Sequence, residues 1–132
     1  MTPAKQIRVL LVSEPGIMHK TLFSILQTIP NAIVAEVNGA LTALDYFERE
    51  KVDAVIIDAN VPLSERIALI TRIQRLFPHI HSIVLTSTSK NHRALVDAGV
   101  DKVLLQNCIR QDIQAAIFAK NPDSSPAMEA KA

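Results

Sequence analysis

The 132-residue chain has no tryptophan, one tyrosine, four phenylalanines, one cysteine and three glycines. With so few aromatics, the core has to be built from Ile, Leu, Val and Ala. Branched aliphatics at this density suit a buried parallel sheet covered by helices. The lone Cys108 has no partner for an internal disulfide, so a reducing compartment is expected. Three glycines leave no room for a glycine-rich phosphate loop. An excess of one charge is missing as well: 14 basic and 13 acidic residues leave a net +1. That balance argues against a chain that binds DNA through its own electrostatic surface, so no nucleic acid is expected on this domain. No apolar run approaches the roughly 20 residues needed to span a bilayer. The opening MTPAKQ lacks the apolar segment of a signal peptide. A cytoplasmic protein with no membrane partner is the expectation.

Apolar residues make up 48% of the chain and charged ones only 20%, and the length suits one domain with one core. Short apolar runs alternate with helical patterns. The runs IRVLLV (7–12), AIVAEV (32–37), DAVIID (53–58), SIVLT (82–86) and KVLLQ (102–106) read as strands. Between them, Leu22, Ile25, Leu26 and Ile29 fall on one helical face, as do Ala40, Ala43, Leu44 and Phe47. Leu69, Ile73, Leu76 and Phe77 predict a third helix ended by Pro78. A weaker fourth spans roughly Asn91 to Ala98 with Gly99 as its stop, and Ile109, Ile113, Ala116 and Ile117 predict a fifth. Five βα units in succession imply parallel strands with helices on both faces. The folded domain is expected over residues 1–120. The polar stretch NPDSSPAMEAKA (121–132) reads equally as a flexible tail or the start of a linker to an output domain.

In open parallel sheets, ligands gather at the carboxyl ends of the strands. The first strand delivers Ser13 and Glu14 there, the third Asp58, the fourth Thr86 and Ser87, and the fifth Gln106 and Asn107. Asp58 raises the sharpest question, because VIIDANVP runs a buried strand straight into a carboxylate, which is costly unless compensated. Each of these residues taken alone is equally well read as a strand-end or helix-capping group.

Taken together, the βα rhythm, the aspartate ending the third strand, IVLTS ending the fourth, PNAIVAEVNGALTALDYF and AGVDKVLL resemble the receiver domain of bacterial response regulators. The likeness covers about residues 7 to 118 and is strongest to receivers that precede a LuxR-type helix-turn-helix domain. It implies an α/β, flavodoxin-like fold: a doubly wound five-stranded parallel sheet of order 2-1-3-4-5. It implies a domain that regulates and is not itself an enzyme. Asp58 would accept a phosphoryl group from a histidine kinase. Mg²⁺ would be held by Glu14, Asp58 and the backbone carbonyl of Asn60, and Thr86 with Ser87 would meet the phosphoryl group. The face of the fourth helix, fifth strand and fifth helix would dock a partner or make a homodimer.

Several positions depart from the family pattern. Gln106-Asn107 stands where a lysine and proline are expected, and a neutral amide bonds an anion about half as strongly as a charged donor. Ser13 removes one acid, and Glu14 is one methylene longer than the usual Asp, so Mg²⁺, which wants near-ideal octahedral oxygen ligands, should be weakly held or absent. Val103 replaces the aromatic switch residue. Arg66, in PLSER, takes the place of a glycine; it could reach across to an acid, but solvent exposure is the expectation. These losses suggest an atypical receiver that acts by protein–protein contact on an output domain or partner. The alternative is a conventional phospho-acceptor switched through Asp58 and Mg²⁺.

Other constellations carry less. His79 and His81 sit in the connection after Pro78 with no acid or Cys nearby in sequence, so a surface loop is expected there, not a metal site. His19 and His92 stand apart, His19 on the first helix near the crevice. Cys108 precedes the last helix, a setting that can lower a thiol pKa, although a small structural residue is the plainer reading. A haloacid-type phosphatase would need a second acid two residues after its nucleophile, where this chain has Asn60.

Overall fold

A computed structural model describes residues 6–15, 17–108 and 110–118. Five strands alternate with five helices: β1 (Ile7–Ser13), α1 (Ile17–Gln27), β2 (Ala32–Asn38), α2 (Ala40–Arg49), β3 (Ala54–Ile57), α3 (Leu63–Leu76), β4 (His81–Thr86), α4 (His92–Asp97), β5 (Lys102–Leu105) and α5 (Arg110–Phe118). A short 3₁₀ turn at Ser89–Asn91 leads into α4. All strand pairs are parallel, in the order β2-β1-β3-β4-β5. The expected fold class, strand number and strand order are therefore those observed.

The continuous apolar runs explain the layering. Along β3 all four residues are buried, and the period-2 geometry of a strand sends them alternately to opposite faces. Val55 and Ile57 join Leu10, Val12, Val84, Phe47, Leu69, Ile73 and Leu95 under α2, α3 and α4. Ala54 and Ile56 join Val9, Leu11, Ile83, Leu26, Ile113 and Ile117 under α1 and α5. Both cores are almost wholly aliphatic, which is how a chain without Trp fills two helix–sheet interfaces. On the first of them Phe47 and Phe77 add a tilted ring pair with centroids 5.4 Å apart.

The boundaries differ from expectation in informative ways. β3 stops at Ile57 and β5 at Leu105, leaving Asp58 and Gln106 just beyond the regular strands. Helix α3 ends at Leu76, whose side chain is 57% exposed. The buried face of that helix runs instead through Arg66, Leu69, Ile70 and Ile73. The fourth helix begins with a 3₁₀ turn because Thr88 caps it: its hydroxyl accepts from the Lys90 N–H at 3.2 Å. Gly99 follows α4 at φ +103°, and its N–H donates to Val96 O. Gln74 Nε2 on α3 donates to Gly99 O at 2.7 Å, tying that turn to the neighbouring helix. Ile109 and the 121–132 stretch lie outside the described residues. Among the described residues no helix is long and apolar enough to cross a membrane.

Candidate functional site

The strand ends converge on one crevice. The backbone N–H of Asp58 continues the β3 ladder to Val12 O at 2.9 Å. Its Oδ1 accepts from the Ala59 N–H at 2.7 Å, and its carbonyl accepts from the Val61 N–H at 3.2 Å. The carboxylate is thus turned by a tight local loop, and its residue is only 2% exposed. Ser13 and Thr86, at the ends of the flanking strands β1 and β4, are also buried. The Ser13 hydroxyl makes a long 3.4 Å bond to Glu14 O. Thr86 Oγ1 donates to Thr88 O at 3.0 Å, which turns the chain toward α4. Ser87 and Asn107 are exposed, while Glu14, Gln106 and Val103 are half-buried. The Gln106 N–H donates to Thr86 O at 2.8 Å.

Asp58 and Gln106 face one small cavity of about 130 Å³ between α1 and α5, with Thr21, Leu85, Cys108 and Ile113 among its walls. Of the residues expected at the crevice, Asp58 and Gln106 line this cavity, Ser13 and Thr86 end the strands on either side of β3, Glu14 follows Ser13, and Ser87 and Asn107 are exposed. The side chain of His19 lies outside the described residues.

Asn60 plays a part that the sequence did not suggest. Its Oδ1 accepts from the Glu14 N–H at 3.0 Å, and its Nδ2 donates to Glu14 O at 2.9 Å. This reciprocal pair clasps the loop after β1 to the loop after β3 across the mouth of the crevice. An amide is matched to a peptide unit in this way because it presents one donor and one acceptor side by side.

Arg66 corrects the sequence expectation outright. It is buried, at 5% exposure, on the inner face of α3. Nε donates to Val61 O and one terminal nitrogen to Leu85 O, both at 2.9 Å. Burial pulls the guanidinium pKa below its ordinary value, and the negative charge of Asp58 pushes it back up. The signal was present in the sequence. Arg66 stands three, four and seven residues before Leu69, Ile70 and Ile73, which is the spacing of one helical stripe.

Two side readings also change. His81 opens β4, and its Nδ1 lies 3.5 Å from Asp101 Oδ2, so an acid does stand beside it. That carboxylate accepts from the Ser82 N–H at 2.8 Å and from the Ser82 hydroxyl at 3.3 Å. Burial alone would raise the Asp101 pKa, but the bonds from His81 and Ser82 outweigh it and hold the carboxyl below its ordinary value. The Cys108 thiol is pushed up by burial and then by the charge of Asp112, the opposite of an activated thiol.

The receiver resemblance implies Mg²⁺ at this crevice, and the donor set falls short of it. Mg²⁺ asks for hard oxygen ligands in near-octahedral order. Here Ser13 offers no charge where the family has an acid, and Arg66, a buried cation, feels the charge of Asp58. The Asn60 clasp engages only its side chain and the Glu14 main chain, so the Glu14 and Asp58 carboxylates and the Asn60 carbonyl are the groups that would hold the ion.

Comparison with known proteins gives a consistent answer. The family model described as the response regulator receiver domain matches residues 9–118. The nitrate/nitrite response regulator protein NarP of Escherichia coli K12 is 26% identical over 122 residues, covering 90% of this chain and 57% of that protein. The chain thus spans little more than half of this curated relative. Among solved structures, the signal receiver domain of the putative response regulator NarL from Mycobacterium tuberculosis superposes with a TM-score of 0.78 at 13% identity, over 88% of this chain and 96% of that one. The receiver domain of sensor histidine kinase PA1611 from Pseudomonas aeruginosa PAO1, which holds a magnesium ion in its active-site cleft, gives 0.75 at 20% identity, over 88% and 97%. RcsB of Salmonella typhimurium gives 0.75 at 21%, over 97% of this chain and 68% of its own. At these identities the structural likeness speaks for the fold.

Proposed function

The chain belongs to the response regulator receiver domain family, and on that premise we propose that it regulates by contact with another protein and not by phosphoryl transfer at Asp58. Receivers are the regulatory domains of two-component signalling. What supports it above all is Gln106, a neutral side chain on the cavity that Asp58 faces, at the position where the receiver resemblance calls for a lysine. A phosphoryl group on Asp58 would bring about two negative charges to a buried position whose nearest fifth-strand donor is uncharged. Ser13 in place of an acid points the same way for Mg²⁺.

The partner surface in this reading is the face of α4, β5 and α5. It carries half-exposed Val96, Leu105 and Phe118, apolar groups suited to a protein partner or a second copy of the chain. The output domain would be a LuxR-type helix-turn-helix module, as in the relatives toward which the sequence leans, with a cytoplasmic setting.

The deciding experiment is the intact mass of the chain after incubation with acetyl phosphate and Mg²⁺, beside an Asp58→Ala control. The expected outcome is no adduct in either. A single phosphoryl adduct that disappears in the control would establish the conventional reading, in which Asp58, Glu14 and Thr86 still form a working acceptor site.

A further inference from the structure

Among the described residues, Asp58 and Arg66 are the two charged side chains in the buried class, and they carry opposite signs. An ion taken out of water costs several kcal/mol in a protein interior unless a counter-charge and hydrogen bonds offset it. The backbone puts these two next to each other. Arg66 Nε bonds Val61 O, and Val61 N–H bonds Asp58 O, so one turn joins them. The second anchor, Leu85, follows Val84, which pairs with Ile57 just before Asp58. Leu85 also shares the small cavity with Asp58. The guanidinium therefore spans the loop after β3 and the end of β4, within the electrostatic reach of the carboxylate.

We infer that Arg66 is the resident cation of the Asp58 crevice: it balances the Asp58 carboxylate, ties the β3–α3 loop to the end of β4, and closes the site to divalent metal. This rests on the reading of an incomplete acceptor site and gives it a cause. A helix residue inside the fold now supplies the positive charge that an entering metal ion would otherwise bring. Mg²⁺ would have to displace or outcompete that charge, and loop movement at β4 would have to break the bond to Leu85 O. Arg66 is a positioning residue, acting on Asp58 and on two backbone carbonyls.

The test is a Mg²⁺ titration of the full chain and its variants, followed by the amide resonances of Glu14, Asp58 and Ala59. Arg66→Met should bind Mg²⁺ at least about tenfold more tightly than the parent, the scale expected when one unit charge is removed from a partly screened interior. Arg66→Lys, which keeps the charge, should respond as weakly as the parent. Should Arg66→Met not fold, Arg66→Gln keeps hydrogen-bonding capacity without charge and is read in its place. Equal Mg²⁺ affinity in the parent and in the folded neutral variant would overturn the inference. A second readout is independent of metal. In urea unfolding, Asp58→Asn and the neutral Arg66 variant should be coupled by about tenfold in the folding equilibrium, as expected for opposite charges that interact through the interior. Strict additivity would also overturn the inference. A phosphoryl adduct on the parent would instead defeat the functional reading above, and it leaves the Asp58–Arg66 coupling to be read from the cycle.

Discussion

At the scale of single residues, the chemistry of the crevice was only partly legible. Asp58, Glu14 and Thr86 could be placed because strand ends in a parallel sheet deliver their residues to a common edge. Arg66 differs from expectation because Arg seldom lies fully buried unless its charge and donors are compensated, and its acceptors, the carbonyls of Val61 and Leu85, are not legible in a sequence. Asn60 was seen only as a backbone carbonyl, since nothing in a sequence reveals that an amide will lie flat against a peptide unit 46 residues distant. Asp101 was likewise overlooked, although it holds the start of β4 through Ser82 and His81. Its carboxyl titrates below the ordinary value, so folding favours the ionised form. That contribution is present above the unfolded-state pKa of about 3.9 and is lost as pH falls through the lower folded value. Asp101→Asn should flatten the acid limb of a stability–pH curve below about pH 4. At neutral pH it should cost about 1 kcal/mol through its weakened hydrogen bonds, a value kept small by solvent on the exposed side of the carboxylate. Urea unfolding at several pH values checks both parts.

At the scale of elements, the helices and strands were legible where an apolar period ran for a full turn or more. The second helix begins at Ala40 and buries Ala43 and Phe47, as its spacing implied. The fourth was harder, because a six-residue helix shows less than two turns of pattern and its entry is shaped by the Thr88 cap. Its exit depends on Gly99. A Cβ there would lie 2.7 Å from Gln74 Cγ, and the backbone φ of +103° is one that side chains other than glycine rarely take. Gly99→Ala should therefore lower stability by about 1–3 kcal/mol, from left-handed strain and the displaced Gln74 together. Loss of the Gln74–Gly99 bond should also raise amide exchange in the turn between α4 and β5. Urea denaturation measures the first effect and hydrogen exchange the second.

At the scale of the whole molecule, the architecture was legible because the burial of β1, β3 and β4 on both faces leaves few alternatives to a doubly wound sheet. The strand order came from family resemblance and not from periodicity, which cannot tell which neighbours pair. What neither could convey is how far the crevice communicates with the outer face of α4, β5 and α5. Val103 packs inward against the core beneath α4, so no aromatic ring is available there to swing between core and solvent. With Thr86 turned to Thr88 O and Leu85 O held by Arg66, a phosphoryl mimic should find no lever. Beryllofluoride with Mg²⁺ is expected to leave the amide resonances of Val96, Val103 and Leu105 unmoved. Shifts at all three would reveal a relay running by another route.

The two devices that hold the crevice have one property in common: both end on main-chain atoms. Asn60 grips the peptide N–H and carbonyl of Glu14, and Arg66 grips the carbonyls of Val61 and Leu85. Replacing the side chains of Glu14, Val61 or Leu85 leaves every one of those acceptors and donors in place. The two bridges thus depend on the side chains at 60 and 66 and ask only for an intact main chain at 14, 61 and 85, although Val61 and Leu85 are fixed by the core for other reasons. A random library screened for chains with tighter metal binding should accordingly draw hits from codon 66, and from codon 13, where an acid would restore the charge that Ser13 lacks.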